Sequence, residues 1–347
     1  MKRTLLLTGA TGFLGRHITA ECIAQGVPMV ALVRDAGTWP PAWSEGVGES
    51  RGLLGSPMEP RTWLEQPGLS DVGTVMHAAG VVRHSRQGAE DTERVNVEST
   101  LQMVRAAHAL GARFVLISTS GAVGCFRSPE HVADEHAPFV EGTVGAWPYY
   151  LSKIHAEREG RKLADKLGVP MTVIRPPMLL GPGDHRRRST SQVSRVIERR
   201  LPFVPSGGLH FTDIRDVASA LVRLTQLESP RDVYHFPGTD LPLSAFFQMV
   251  GEVAGEPVRA RSASRPLLQG IATATEHLRR VTNVPLPAWL PDPVVLEMAS
   301  HYWGLSTLWT HTDLAYAPRL PRQTLADTVE WLRGPEASAQ QRHSHAA

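Results

Sequence analysis

A glycine-rich turn directly behind a short apolar run is the feature that most constrains this chain. Residues 5–7 are all leucine, and the stretch Thr8-Gly9-Ala10-Thr11-Gly12-Phe13-Leu14-Gly15 follows. Glycines at this spacing permit a tight turn, a close approach of backbone amides to an anion, and close packing of a helix on a strand. Residues 18–24 continue as an amphipathic run, so the pattern predicts strand, turn and helix, with the helix N-terminus facing a phosphate group.

Short apolar runs alternate with longer amphipathic runs through the first half of the chain. Strands are expected at residues 4–8, 28–34, 73–78, 114–118 and 171–175, and helices include 95–110 and 152–167. This alternation predicts an α/β fold with a doubly wound parallel sheet, helices on both faces, and ligands beyond the carboxyl ends of the strands.

The character of the chain changes after the fifth predicted strand. We assign residues 1–177 and 209–238 to a nucleotide-binding domain, in which residues 211–218 and 233–236 return to the sheet. Residues 178–208 and 239–333 are assigned to a smaller substrate-binding lobe, and residues 334–347 to a disordered tail, because they are polar and rich in small side chains.

Composition excludes several classes of protein. The formal net charge is only +2 over 347 residues, which favours no nucleic-acid partner. Two cysteines, Cys22 and Cys125, make neither a disulfide framework nor a zinc cluster, and no metal is expected. The apolar runs are too short for a signal peptide or a membrane span of about 18 residues. We expect a cytoplasmic protein without firm membrane association that binds a small-molecule substrate, and the pattern leaves a homodimer open.

A second chemical feature joins a tyrosine, a lysine and a hydroxyl. Tyr149 and Lys153 are four residues apart, so they share one face of a helix. A nearby ammonium lowers the pKa of a phenol, which lets the pair exchange a proton with an alcohol oxygen. Thr119 follows the fourth predicted strand and is the preferred hydrogen-bond donor to the same oxygen, with Ser120 in reserve.

Together these segments resemble the extended short-chain dehydrogenase/reductases, also called the NAD-dependent epimerase/dehydratase family. The resemblance covers about residues 4–333 and rests on the glycine turn and on His77-Ala78-Ala79-Gly80, Asn96-Val97-Glu98-Ser99-Thr100, Ile117-Ser118-Thr119, Tyr149-x-x-Ser152-Lys153-x-x-Ala156-Glu157 and Arg175-Pro176-Pro177. It implies a Rossmann domain that binds NAD(P) and a small C-terminal substrate lobe.

The resemblance also implies roles for single residues. Tyr149 would be the catalytic acid/base, Lys153 its partner and a ribose ligand, and Thr119 the donor to the substrate oxygen. Cofactor-binding residues would be Gly9, Thr11, Gly12, Phe13, Leu14, Gly15, Arg34, Ala78, Ala79, Gly80, Lys153 and Pro176. Asn96 would position the central helix. The chain departs from the family pattern at two places. Residues 52–55 lack the acidic residue that usually holds the adenine. Ala122-Val123-Gly124 stands where the family usually has an aromatic residue in the wall beside the nicotinamide.

The end of the second predicted strand bears on the form of the cofactor. Arg34 stands there and favours NADP(H), because an arginine pairs with a 2′-phosphate. Asp35 follows it and leaves NAD(H) open, because an acidic side chain accepts hydrogen bonds from a ribose hydroxyl.

The branch of the family is predicted from residues near both ends of the chain. Val33-Arg34, residues 79–82 and residues 313–332 resemble dihydroflavonol reductase-like and 3β-hydroxysteroid dehydrogenase-like enzymes. We therefore expect reversible hydride transfer between a nicotinamide and a ketone or secondary alcohol. The alternatives are a nucleotide-sugar epimerase or dehydratase, and a non-enzymatic protein that senses NADP.

Residues of the variable lobe carry two opposed substrate signals. An apolar pocket for a lipid-like, steroid-like or polycyclic substrate would draw on Met178, Leu179, Leu180, Phe203, Phe211, Trp289, Trp303 and Trp309. Arg186, Arg187 and Arg188, with Arg195, Arg199 and Arg200 beyond, would instead clamp a diphosphate or simply face water. His84 and His210 are further candidates for substrate contact.

Overall fold

The computed structural model describes residues 4–39, 50–201, 203–282 and 292–335. Its strands are β1 (Thr4–Thr8), β2 (Met29–Val33), β3 (Ser50–Leu54), β4 (Val72–His77), β5 (Arg113–Ile117), β6 (Cys125–Phe126), β7 (Met171–Arg175), β8 (Met178–Leu180), β9 (Phe203–Pro205), β10 (Gly208–Asp213), β11 (Val233–His235), β12 (Thr239–Pro242), β13 (Arg261–Ala263) and β14 (Tyr302–Trp303). Trp289 and residues 336–347 of the predicted tail lie outside the described residues.

The helices cover both faces of the main sheet and build the second lobe. They are α1 (Phe13–Gln25), α2 (Ala89–Leu110), α3 (Glu141–Val144), α4 (Pro148–Leu167), α5 (Ser191–Ile197), α6 (Ile214–Gln226), α7 (Leu243–Ala254), α8 (Arg265–Thr282), α9 (Pro293–Met298), α10 (Thr310–Leu314) and α11 (Pro321–Arg333).

Seven parallel strands form the main sheet in the order β11-β7-β5-β4-β1-β2-β3. The predicted doubly wound α/β sheet is therefore confirmed, because α1 and α6 pack together while α2 and α4 pack together. The strands are apolar almost throughout, since helices cover both faces. All seven carboxyl ends lie at one edge, and this edge carries the residues that the sequence singles out.

Residues 211–218 do not return to the main sheet as a strand, which corrects our expectation. β10 pairs in parallel with β8 and antiparallel with β12 in a separate three-stranded sheet. Within this segment only α6, which begins at Ile214 under a cap by the Asp213 side chain, packs against the main sheet's helix α1. β11 does extend the main sheet beside β7, as predicted.

The second lobe has an apolar core of its own. Phe211 packs edge-on against Phe246 of α7, and Leu325 of α11 is buried in the same cluster. Across the described residues, no helix is both long and apolar enough to cross a membrane.

Candidate active site

The turn after β1 is so tight that two of its positions accept only glycine. Gly9 has a φ of +74°, and a Cβ there would lie 2.7 Å from the backbone nitrogen of Ala79. A Cβ on Gly15 would lie 2.0 Å from the Gly9 carbonyl oxygen, so α1 packs directly on the turn. The Gly12 N–H donates to that same oxygen (2.9 Å), and α1 begins at the next residue.

A cleft of about 1150 Å³ opens over the carboxyl ends of the strands. The glycine turn contributes Thr11, Gly12, Phe13 and Leu14 to its wall, and the ends of β4 and β7 contribute Ala78, Gly80 and Pro176. The first amides of α1 and its dipole favour an anion at this wall. The residues present therefore fit a dinucleotide, with its pyrophosphate at the glycine turn.

The end of β2 presents two side chains with different surroundings. Arg34 is exposed. Asp35 is tied to its own loop, where its Oδ1 accepts from the Gly37 N–H (2.9 Å). Gly37 and Thr38 line the cleft, so this loop borders the cofactor site. The predicted contact of Arg34 with the cofactor stays a prediction.

The structure brings the predicted catalytic residues together on one wall of the cleft. Tyr149 and Lys153 lie one turn apart on α4, and Tyr149 forms a hydrogen bond with Thr119. The Lys153 Nζ donates to the Ile117 carbonyl oxygen (2.8 Å), which anchors it to the end of β5. All three side chains line the cleft, so a phenol, an ammonium and a hydroxyl face the same space.

The expected lowering of the tyrosine pKa is not observed, and burial explains the difference. Burial raises the pKa of Tyr149 to about 12, although the hydrogen bond with Thr119 opposes it. Burial also lowers the pKa of Lys153 to about 8, and Glu157 opposes that change. Desolvation favours the neutral form of both groups, and here it outweighs the opposing effects of Thr119 and Glu157.

Asn96 links the two helices α2 and α4 beside this wall of the cleft. From α2 its Nδ2 donates to the Ser152 Oγ of α4 (2.9 Å) and to the Val81 carbonyl (3.0 Å), while its Oδ1 accepts from the Val81 N–H (2.8 Å). The Ser152 hydroxyl in turn donates to the Tyr149 carbonyl (2.7 Å). Asn96 therefore positions the loop after β4 against α4.

A buried ion pair lies one helical turn below Lys153. Glu157 accepts hydrogen bonds from both Nε and Nη2 of the Arg175 guanidinium, the shortest from Nη2 at 2.7 Å. The Ser118 hydroxyl also donates to Glu157. Both charged side chains are less than a tenth exposed. The pair fixes α4 to the ends of β5 and β7, and sequence reasoning did not assign it this function.

Aromatic side chains from two distant segments form the wall beside Thr119. A Cβ on Gly121 would lie 2.1 Å from the Tyr150 ring, so Tyr150 packs directly on the backbone after β5. Trp303 lies 5.2 Å from Tyr150 between ring centroids, and both line the cleft. They supply aromatic surface that Ala122-Val123-Gly124 lacks. Sequence reasoning missed Tyr150, although its position next to Tyr149 was a usable signal.

The predicted apolar lining is correct in part. Met178, Leu179, Phe203 and Trp303 line the cleft. Leu180 and Phe211 are instead buried in the core of the second lobe, and Trp309 packs against the main core and under Arg231. The strands that carry Leu180 and Phe211 have one face in that core, which decides their orientation.

The arginine run is divided between the cleft and the surface. Asp184 is buried and accepts from Ser189 and Thr190, which fixes the loop. Arg187 turns away with a φ of +46° and pairs with Glu198 (3.2 Å), whereas Arg186, Arg188 and Arg195 line the cleft. The cleft therefore combines an apolar part with a basic part.

The two candidate histidines also line the cleft. The Nε2 of His210 accepts from the Gly238 N–H (2.7 Å), and its Nδ1 lies 2.6 Å from the Asp240 carboxylate. These contacts fix the ring of His210 within the second lobe. His84 lies beside Tyr149 and Tyr150.

The glycine turn, the parallel sheet and the Tyr149-Lys153-Thr119 wall define a Rossmann-fold enzyme site. The model of the NAD dependent epimerase/dehydratase family matches residues 5–235, and the chain belongs to this family. The expected membership of the extended short-chain dehydrogenases/reductases is thus confirmed, as are an NAD(P) cofactor and an oxidoreductase enzyme.

Relatives include a sterol demethylase protein and a reductase. The chain is 29% identical over 341 residues to sterol demethylase protein B of Methylococcus capsulatus. The alignment covers 95% of this chain and 98% of the relative. It is 28% identical over 264 residues to cinnamoyl-CoA reductase 1 of Oryza sativa subsp. japonica, covering 73% and 76% of the two chains.

Solved structures share the whole fold. The crystal structure of gox2253 is 26% identical and superposes with a TM-score of 0.79 over 95% of this chain and 98% of that one. The dTDP-glucose 4,6-dehydratase DesIV from Streptomyces venezuelae, with NAD bound, has a TM-score of 0.70 at 18% identity over 95% and 97% of the chains, which shows the fold alone.

Proposed function

We propose that this protein is an NADP(H)-dependent reductase that acts on the carbonyl of an apolar ketone, reversibly with the secondary alcohol. The observation that carries the proposal is the hydrogen-bonded Tyr149-Thr119 pair, which shares one cleft with Met178 and Trp303. The names of sterol demethylase protein B and cinnamoyl-CoA reductase 1 support a lipid-like or aromatic substrate and a reductive direction.

The proposed mechanism divides the work between the nicotinamide and three side chains. A nicotinamide bound in the cleft would supply or accept the hydride. Thr119 donates a hydrogen bond to the substrate oxygen, and Tyr149 gives that oxygen its proton during reduction. Lys153 binds the cofactor ribose and stabilises negative charge that develops on the Tyr149 oxygen.

Substitution of the tyrosine tests this mechanism. Tyr149→Phe keeps the ring but removes the proton donor, so kcat should fall by a factor of about 100 to 10,000 while the Kd of NADPH changes little. NADPH oxidation with steroid, aryl and straight-chain ketones, beside fluorescence titration of NADPH, measures both quantities. Equal turnover by the variant would refute the role of Tyr149.

The preference for NADP(H) rests on the end of β2. Arg34 is exposed beside the loop that borders the cleft, whereas the Asp35 carboxylate is engaged by the Gly37 N–H. Arg34→Ala should raise the Kd of NADPH by at least tenfold, because a charge-assisted hydrogen bond contributes about 1.5–3 kcal/mol. The Kd of NADH should stay nearly unchanged. Equal effects on the two cofactors would refute the preference.

The basic part of the cleft favours a second candidate, a nucleotide-sugar epimerase or dehydratase. Arg186, Arg188 and Arg195 line the cleft, where guanidinium groups suit a diphosphate. This candidate predicts conversion of UDP-glucose or dTDP-glucose without net consumption of cofactor. Product analysis by mass spectrometry and NMR, run beside the ketone assay, separates the two candidates.

A further inference from the structure

His84 is a partly buried polar side chain that the proposed mechanism does not use. It lies in the loop between β4 and α2 and lines the cleft. Its ring centroid is 5.2 Å from that of Tyr149 with the planes at 85°, and 5.7 Å from that of Tyr150 in a stacked arrangement. It therefore contacts the catalytic tyrosine directly.

The burial of one nitrogen of the His84 ring favours one tautomer. The Nδ1 of His84 is buried and has no hydrogen-bond partner among the described residues. Buried N–H groups without an acceptor are rarer in proteins than unused acceptor lone pairs, so the proton of the neutral ring belongs on Nε2. Burial lowers the pKa of His84 to about 4, which keeps the ring neutral at pH 7.

The loop that carries His84 is anchored by hydrogen bonds on both sides. Asn96 binds both backbone groups of Val81, as described above, and Arg188 donates from Nη1 to the Val82 carbonyl (3.1 Å). Arg83 donates to the Gly88 carbonyl (3.2 Å) just before α2 begins. The ring is thus preorganised beside the reaction centre, as a substrate-binding group needs to be.

We propose that His84 binds the substrate by donating a hydrogen bond from Nε2 to a second oxygen, placed one or two carbons from the reacting carbonyl carbon. The two rings are in edge-to-face contact, with 5.2 Å between their centroids, and both line the cleft, so one molecule that reaches Tyr149 also lies beside His84. The substrate class is therefore an oxygen-bearing ketone. This inference rests on the proposed reductase function and adds its specificity.

Matched ketones test the proposal. The probes are 2- and 3-methoxycyclohexanone, compared with 2- and 3-ethylcyclohexanone, in which a methylene replaces the ether oxygen. One hydrogen bond of about 1.4 kcal/mol gives about a tenfold preference, so kcat/KM of the wild type should favour at least one methoxy ketone over its ethyl partner by about that factor.

Three variants assign the preference to the ring nitrogen. His84→Phe keeps the packing against Tyr149 but removes the donor, and its preference should fall about tenfold, mostly through KM. His84→Gln retains an N–H donor and should restore part of the preference. His108→Phe, at an exposed position on α2, is the matched control and should leave it unchanged. NADPH affinity reports whether each cofactor site is intact.

The outcomes separate this inference from the reductase proposal. If His84→Phe keeps the wild-type preference, or if the wild type shows none, the role of His84 is refuted while ketone reduction stands. If the wild type reduces no ketone, the reductase proposal fails. In that case the Kd values of the same four ketones for the protein–NADP⁺ complex are measured by calorimetry. A tenfold tighter binding of a methoxy ketone than of its ethyl partner, lost in His84→Phe, supports the role of His84, and its absence refutes that role.

Discussion

Lys153 should lower the free energy of unfolding at neutral pH, so the Lys153→Met variant should be more stable than the wild type. Burial lowers the pKa of Lys153 from 10.5 to about 8. Between pH 8 and pH 10.5 the unfolded chain therefore binds more protons than the folded one, and stability rises with pH through this window. Below pH 8 the full penalty applies, which is about 3 kcal/mol at about 1.4 kcal/mol per pKa unit.

The substitution also removes one hydrogen bond. The Ile117 carbonyl loses its contact with the Lys153 Nζ at 2.8 Å, at a cost of about 1 kcal/mol. The net gain expected at pH 7 is therefore about 2 kcal/mol, and it should fall to nearly zero by pH 10, where most of the proton-linked penalty has disappeared.

Urea unfolding of the cofactor-free protein at pH 7 and pH 10 measures this gain. Lys162→Met is the matched control, because Lys162 lies on the same helix and is 65% exposed, and it should show no gain that depends on pH. A Lys153→Met protein that is less stable than the wild type at pH 7, or equally stabilised at both pH values, would refute the reasoning.

Three further predictions concern the turn, the buried ion pair and the hydroxyl. Gly15→Ala should abolish NADPH binding in fluorescence titration, because its Cβ would lie 2.0 Å from a backbone oxygen, whereas Gly142→Ala, with open space around it, should bind normally. Glu157→Gln should lower the free energy of unfolding, measured in urea, by about 3–5 kcal/mol, because it leaves a buried guanidinium without its charge partner. Glu159→Gln, at a side chain that is 44% exposed, should change it little. Thr119→Val should reduce kcat about 100-fold at unchanged NADPH Kd, and an unchanged kcat would exclude it as a donor.

Much of the main sheet could be predicted because its strands are continuous apolar runs. The structure places β1 and β7 at the predicted residues, and β2, β4 and β5 within a residue or two at each end. β3 was missed because Ser50-Arg51-Gly52-Leu53-Leu54 has a glycine and few apolar residues, as an edge strand permits. β10 was assigned to the wrong sheet because pairing partners distant in sequence leave no local pattern.

The candidate site divides in the same way. The positions of residues that depend on local backbone shape or on helical spacing, such as Gly15 and the Tyr149-Lys153 pair, were predictable from a few neighbouring residues. The sign of the pKa change at Tyr149 was not, because it depends on how much of the molecule covers the ring. His84 was only a lone histidine in the sequence, and its significance arises from rings that lie more than sixty residues away in the chain.

Burial of Tyr149 and Lys153 has a consequence for the direction of the proposed reaction. With a pKa of about 12, Tyr149 keeps its proton at neutral pH, so it is ready to donate to a ketone oxygen but not to accept from an alcohol. With a pKa of about 8, Lys153 stays mostly charged at pH 7, where it stabilises the phenolate that donation leaves behind. Glu157 supports that charge from one turn away. The same desolvation that raises the cost of folding thus prepares the site for reduction, and oxidation of the alcohol requires a higher pH.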